Sequence, residues 1–141
     1  MIPFQRCGLI FGIAALLLAG CHHVDPVYNV NARPTHLQTP SNLTEQAVGE
    51  AITRALAKTG WKVDIVKPGY LLATIQWGNH SASVDINYDK DSFSIVLNSS
   101  HYLNEKDGEI HPTYNKYIVD LESAIRTELG MQGPPPLMRH I

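Results

Sequence analysis

Between residues 99 and 115 the chain gathers its densest set of hydrogen-bonding side chains: Ser99, Ser100, His101 and Tyr102, then His111, Tyr114 and Asn115. His111, Tyr114 and Asn115 are spaced by three and four, so a helix brings them to one face. A helix start can hold an anion through its free N–H groups. A serine with His101 or His111, oriented by Asp85, Asp107 or Asp120, would instead make a nucleophile and base. No Gly-x-Ser-x-Gly elbow accompanies them. The simpler reading is structural: His111 caps a helix, Tyr114 is core, and Asn115 ties down the preceding loop. The candidate binding residues are therefore His101, Tyr102, His111, Tyr114 and Asn115, with no catalytic residue assigned.

Seven histidines invite a metal reading. His22 and His23 are adjacent, while His80, His101 and His111 fall on different elements. Neither His-x-His nor His-Glu-x-x-His spacing occurs, so neither a metal site nor a cofactor is expected. Ser81, Ser83, Asp85, Asn87 and Asp89 line one side of an alternating run, a face that is usually only solvated. Trp61 and Trp77 lie in register with apolar neighbours and read as core.

The elements that must position these residues are legible from periodicity. In TEQAVGEAITRALAKTG, the residues Val48, Ala51, Ile52, Ala55 and Leu56 recur at helical spacing. Asn42 or Thr44 can cap its start, and Gly60 supplies a left-handed stop. Four short runs follow: WKVDIV, YLLATIQW, HSASVDINY and SFSIVLN. Pro68-Gly69, Gly78-Asn79 and Asp89-Lys90-Asp91 separate them as turns. Ala82, Val84, Ile86 and Tyr88 alternate inward, as do Phe93, Ile95 and Leu97. The last helix, PTYNKYIVDLESAIRTEL, runs between Pro112 and Gly130 with a stripe of Tyr114, Ile118, Leu121, Ile125 and Leu129. One apolar face on each helix and one on the sheet predict an α+β two-layer sandwich: a four-stranded antiparallel meander with two helices on one face, in the order α-β-β-β-β-α.

The N-terminus gives an address. One positive charge at Arg6 precedes GLIFGIAALLLAG, an apolar run shorter than the ~20 residues that span a bilayer. Leu18-Ala19-Gly20-Cys21 follows and resembles the lipobox of bacterial lipoproteins, in which the cysteine is acylated and the chain is cut before it. The resemblance implies a signal peptide over 1–20, lipidation at Cys21, and stable anchoring by several acyl chains. His22, in place of an Asp, implies the outer membrane, on its periplasmic face. Cys7 leaves with the signal peptide and Cys21 becomes a thioether, which excludes disulfides and thiol chemistry. Loss of Arg6 takes the net charge from −2 to −3, so the basic field that nucleic acid needs is missing.

Residues 22–42 show neither period and contain Pro26, Pro34 and Pro40, so residues 21–42 read as the lipidated cysteine and a flexible tether with a reach of ~25 Å. The folded domain is then 43–130, followed by a Pro-rich tail over 131–141 in which Pro134-Pro135-Pro136 should be extended. Within the domain, Gly60-Trp61, Ile86-Asn87-Tyr88, Ser100-His101-Tyr102-Leu103 and Ile110-His111 with Tyr114-Asn115 resemble a family of small proteobacterial lipoproteins. That resemblance supports the localisation and implies no activity. The expected function is a non-enzymatic, membrane-anchored binding or assembly module whose partner is an envelope protein or the cell wall. The alternatives are an envelope hydrolase using His111 with a nearby Ser or Tyr, or a metal-binding lipoprotein. A fatty-acid probe fed to cells should label the wild-type chain and not Cys21→Ala. An unlabelled wild type in the soluble periplasm would remove the anchor.

Overall fold

The computed structural model describes residues 23–36 and 42–131. Residues 1–22, which hold the expected signal peptide and Cys21, residues 37–41 and the tail from 132 lie outside the described residues. In chain order the elements are β1 (Asp25–Pro26), β2 (Val30–Pro34), α1 (Glu45–Lys58), β3 (Lys62–Lys67), β4 (Tyr70–Trp77), β5 (His80–Tyr88), β6 (Ser92–His101), β7 (Glu109–Ile110) and α2 (Pro112–Glu128). The fold is α+β, with every strand pair antiparallel.

The meander β3-β4-β5-β6 forms as its alternation predicts. Leu71, Ala73 and Ile75 of β4, Ala82, Val84 and Ile86 of β5, and Phe93 and Ile95 of β6 are buried, while their neighbours in sequence are at least partly exposed. A register shift against Ser83 and Val84 leaves Asn98 without an opposite residue. Beyond that bulge the simple alternation of β6 ends, because one extra residue re-aims every side chain after it.

Thr44 caps α1, its Oγ1 accepting the Ala47 N–H at 3.1 Å. The helix buries Val48, Ala51, Ile52, Ala55 and Leu56, and α2 buries Tyr114, Ile118, Leu121 and Ile125. These stripes and the inward residues of the sheet form one apolar cluster. Each fully buried Leu or Ile in it contributes about 1.5–3 kcal/mol.

Two expectations are corrected. The sheet has five strands rather than four, in the order β2-β6-β5-β4-β3, and a second, two-stranded sheet pairs β1 with β7. Both additions come from the same place: Asp25–Pro34, expected to be flexible tether, is built into the fold. Periodicity could not show this, because the segment is not held by an apolar period. Val30 is its one buried apolar residue. Ala32 sits at φ 45°, inside an irregularity of the β2–β6 register.

What holds the segment is polar. The Tyr28 hydroxyl donates to Glu122 Oε2 at 2.7 Å, and Arg33 Nε donates to Glu122 Oε1 at 2.8 Å. Asn29 Oδ1 accepts the Leu97 N–H, and Thr35 Oγ1 donates to the Lys90 carbonyl at 2.6 Å. Glu122 is 0% exposed, and the burial of its carboxyl group is tolerated because two donors meet its oxygens. Breaking a buried pair from one side costs about 3–5 kcal/mol. Arg33 is about one-third exposed and Tyr28 remains, so Arg33→Ala should lower stability by about 2 kcal/mol. Urea unfolding checks this; a change below about 0.5 kcal/mol, the size of an ordinary surface substitution, would show that the carboxylate does not depend on Arg33.

Candidate functional site

At the start of α2, His111 is the N-cap: its Nδ1 accepts the Thr113 N–H at 3.2 Å and its carbonyl accepts the Tyr114 N–H at 3.0 Å. Pro112 has no N–H to offer. The Thr113 and Tyr114 N–H groups of the first turn are thus met by His111 itself, as the structural reading of this helix start has it. Tyr114 is buried in the core, and its hydroxyl has no partner among the described residues. Burial first, and the nearby Glu105 charge second, push that phenol far above its ordinary range.

Asn115, 3% exposed, joins two parts of the chain. Its Oδ1 accepts the Tyr28 N–H at 2.9 Å and its Nδ2 donates to the Pro26 carbonyl at 2.9 Å. It ties down the N-terminal segment instead of the loop before α2, which was the expectation.

His101 and Tyr102 are exposed and lie against each other, ring centroids 4.0 Å apart. Tyr102 has φ 57°, a left-handed conformation uncommon for a non-glycine residue. Its carbonyl meets His80 Nδ1 at 2.9 Å. A carbonyl only accepts, so His80 donates from Nδ1. A row of rings continues from there: Tyr117 to Trp77 at 4.6 Å, Trp77 to His80 at 5.7 Å, and His80 to His111 at 6.3 Å. The two imidazoles are within 24° of parallel. Among the described residues no three of His, Cys, Asp and Glu come together in a ligand set.

The serines have other partners. Ser99 Oγ bonds Ser83 Oγ at 2.6 Å, and Ser100 Oγ donates to Glu105 at 2.7 Å. Asp85 accepts from Tyr70 and Asn98, so it orients no imidazole. Asp89 closes the β5–β6 turn by accepting the N–H groups of Asp91 and Ser92, which hold its carboxyl below the usual range. The structure thus brings His80, His101, Tyr102 and His111 to one end of the sheet and turns Tyr114 and Asn115 inward. It joins no serine to an imidazole among the described hydrogen bonds.

A second feature escaped the sequence. A cleft of about 760 Å³ opens between α1 and the β3–β4 turn, within the ~300–1,000 Å³ of ligand-binding clefts. Val66, Pro68, Leu71 and Tyr88 give it apolar walls, and Glu45, Glu50 and Arg54 of α1 stand along its rim. Val66 is 68% exposed. Gly49 lies in the middle of α1, where glycine costs about 1 kcal/mol relative to alanine. A Cβ there would come within 2.5 Å of the Tyr88 hydroxyl, so the helix gives up a side chain to seat the ring. This mid-helix glycine was the signal in the sequence for a close approach. For the buried Tyr28–Arg33–Glu122 network the signal was Glu122 itself, an acid directly beside the apolar stripe at Leu121 and one turn after Ile118.

No family model, curated protein or solved structure matches the chain. What the site can do rests on its own geometry.

The ring and the glycine should be coupled. Gly49→Ala should stabilise α1 by about 0.5–1 kcal/mol when Tyr88 is already Ala, and should lose that gain, or destabilise, when Tyr88 is present. A double-mutant cycle by thermal unfolding reads the coupling; additive effects would mean that the tyrosine does not occupy the helix surface.

Proposed function

We propose that the chain is a lipid-anchored, non-enzymatic binding or assembly module of the bacterial envelope, held on the periplasmic face of the outer membrane. One observation carries the reading: Leu18-Ala19-Gly20-Cys21 follows a charged start and a short apolar run. The resemblance of Gly60-Trp61, Ile86-Asn87-Tyr88 and the residues from Ile110 to Asn115 to small proteobacterial lipoproteins supports the same address.

In this reading both helices cover one face of the sheet, and the α1 cleft receives the partner. Apolar walls beneath a rim of both charge signs suit an extended segment of an envelope protein, with its backbone on Tyr88 and Pro68 and its charges toward Glu45, Glu50 and Arg54. The hydrolase alternative draws no support from the geometry, because His111 Nδ1 is spent on the helix cap and Ser99 and Ser100 bond elsewhere. The metal alternative draws none either, because among the described residues no three ligand-type side chains come together.

Capture from crosslinked envelopes tests the reading with the wild-type chain and Val66→Glu, a change on exposed surface that places a charge in the cleft wall. A defined partner should be recovered with wild type and lost with Val66→Glu while the variant stays anchored and folded. Equal recovery with both, or none with either, would sink the assignment of the cleft.

A further inference from the structure

We infer that the end of the sheet carrying Tyr102, His101, His80 and Trp77 faces a zwitterionic phospholipid surface, and that the α1 cleft points away from it. This rests on the anchor at Cys21 proposed above.

The fold has two distinct ends. Strand register puts the β4–β5 turn at Trp77–His80 and the loop after His101 at one end, because Gln76 pairs with Ser81 and Ser81 with His101. The turns at Lys67–Tyr70 and Tyr88–Ser92 lie at the other. Nine residues of β5 separate the ends, about 27 Å at ~3.4 Å per residue.

The chain leaves the anchor for the first end. Asp25, four residues after Cys21, pairs with Ile110, and the Val27 N–H donates to the Gly108 carbonyl at 2.8 Å. From there β2 runs toward the other end, Val30 opposite Ile95 and Pro34 opposite Ser92. Four residues reach at most ~14 Å. That distance lets the first end touch the lipid surface, and it is too short for the chain to reach across the sheet and turn the cleft toward the membrane.

The chemistry of the first end fits a headgroup layer. Tyr102 is 66% exposed, and its left-handed backbone is held by the bond between its carbonyl and His80. Trp77, His80 and His111 are half-buried behind it. Amphipathic rings of this kind favour the interface, with an apolar body and a polar tip. Glu105, Asp107 and Glu109 against Lys106 make the adjoining loop acidic. Such a loop accepts the ammonium of a zwitterionic headgroup and repels an anionic surface.

The chain from residue 21 contains one thiol, Cys21, so a maleimide lipid can fix it to a phosphatidylethanolamine–phosphatidylcholine nanodisc whether or not cells acylate it. Gadolinium-chelate lipids in that disc should abolish the amide signals of residues 78–80 and 102–108 and leave those of Lys67, Gly69 and residues 89–91 intact. Equal loss at both ends, or loss concentrated at Lys67, Gly69 and residues 89–91, would overturn the orientation. Absence of fatty-acid labelling in cells would overturn the anchor alone.

Discussion

A single buried carboxylate decides what kind of molecule this is. Glu122 lies on the inward face of α2 with no exposed surface, in a place where an isolated charge would cost several kcal/mol. Its two oxygens are met by Tyr28 and Arg33, both from the stretch that precedes α1. Burial first, and the adjacent carboxylate second, push the Tyr28 phenol upward, so it stays a donor at neutral pH. The helix needs the N-terminal segment to satisfy the oxygens of its buried carboxyl group. The segment, which buries one apolar side chain, needs the helix to have a place at all.

The rest follows from that exchange. With Tyr28 and Arg33 fixed, Val30 reaches Ile95 and adds a fifth strand to the sheet. Asn115 then clasps Pro26 and Tyr28 from the next face of α2, and β1 can pair with β7. The proposed lipid anchor thereby becomes a leash of four residues instead of about twenty. A short leash gives the domain a direction, which a flexible tether would not. The aromatic end and the cleft end of the sheet become a near side and a far side.

The central fold was legible because burial wrote it into periodicity. Val48 to Leu56, Ala82 to Ile86, Phe93 to Ile95, and Tyr114 to Ile125 all reported their buried faces through spacing alone. Pro112 and Gly130 framed α2 for the same reason, each suited to one helix end. Residues 25–34 were not legible, because polar bonds to distant partners hold them: 89 positions separate Arg33 from Glu122. Sequence spacing carries no trace of such a bond. The candidate site was legible in composition and not in arrangement. His111 as cap and Tyr114 as core follow from a helix beginning at Pro112. That Asn115 faces Tyr28, that His80 stacks near His111, and that Tyr88 lies against Gly49 are consequences of tertiary packing.

Residue-resolved amide exchange on the native chain tests the dependence on Glu122 most directly, through the N–H groups of Val27 and Tyr28. The Val27 donor is bonded to Gly108 and the Tyr28 donor to Asn115. If the segment is part of the fold, both should exchange as slowly as amides of the central strands, opening only with global unfolding, and both should speed up when Glu122 is replaced by Ala. Exchange at the rate of an unstructured chain in the unaltered protein would contradict the account, returning residues 25–34 to the role of a tether.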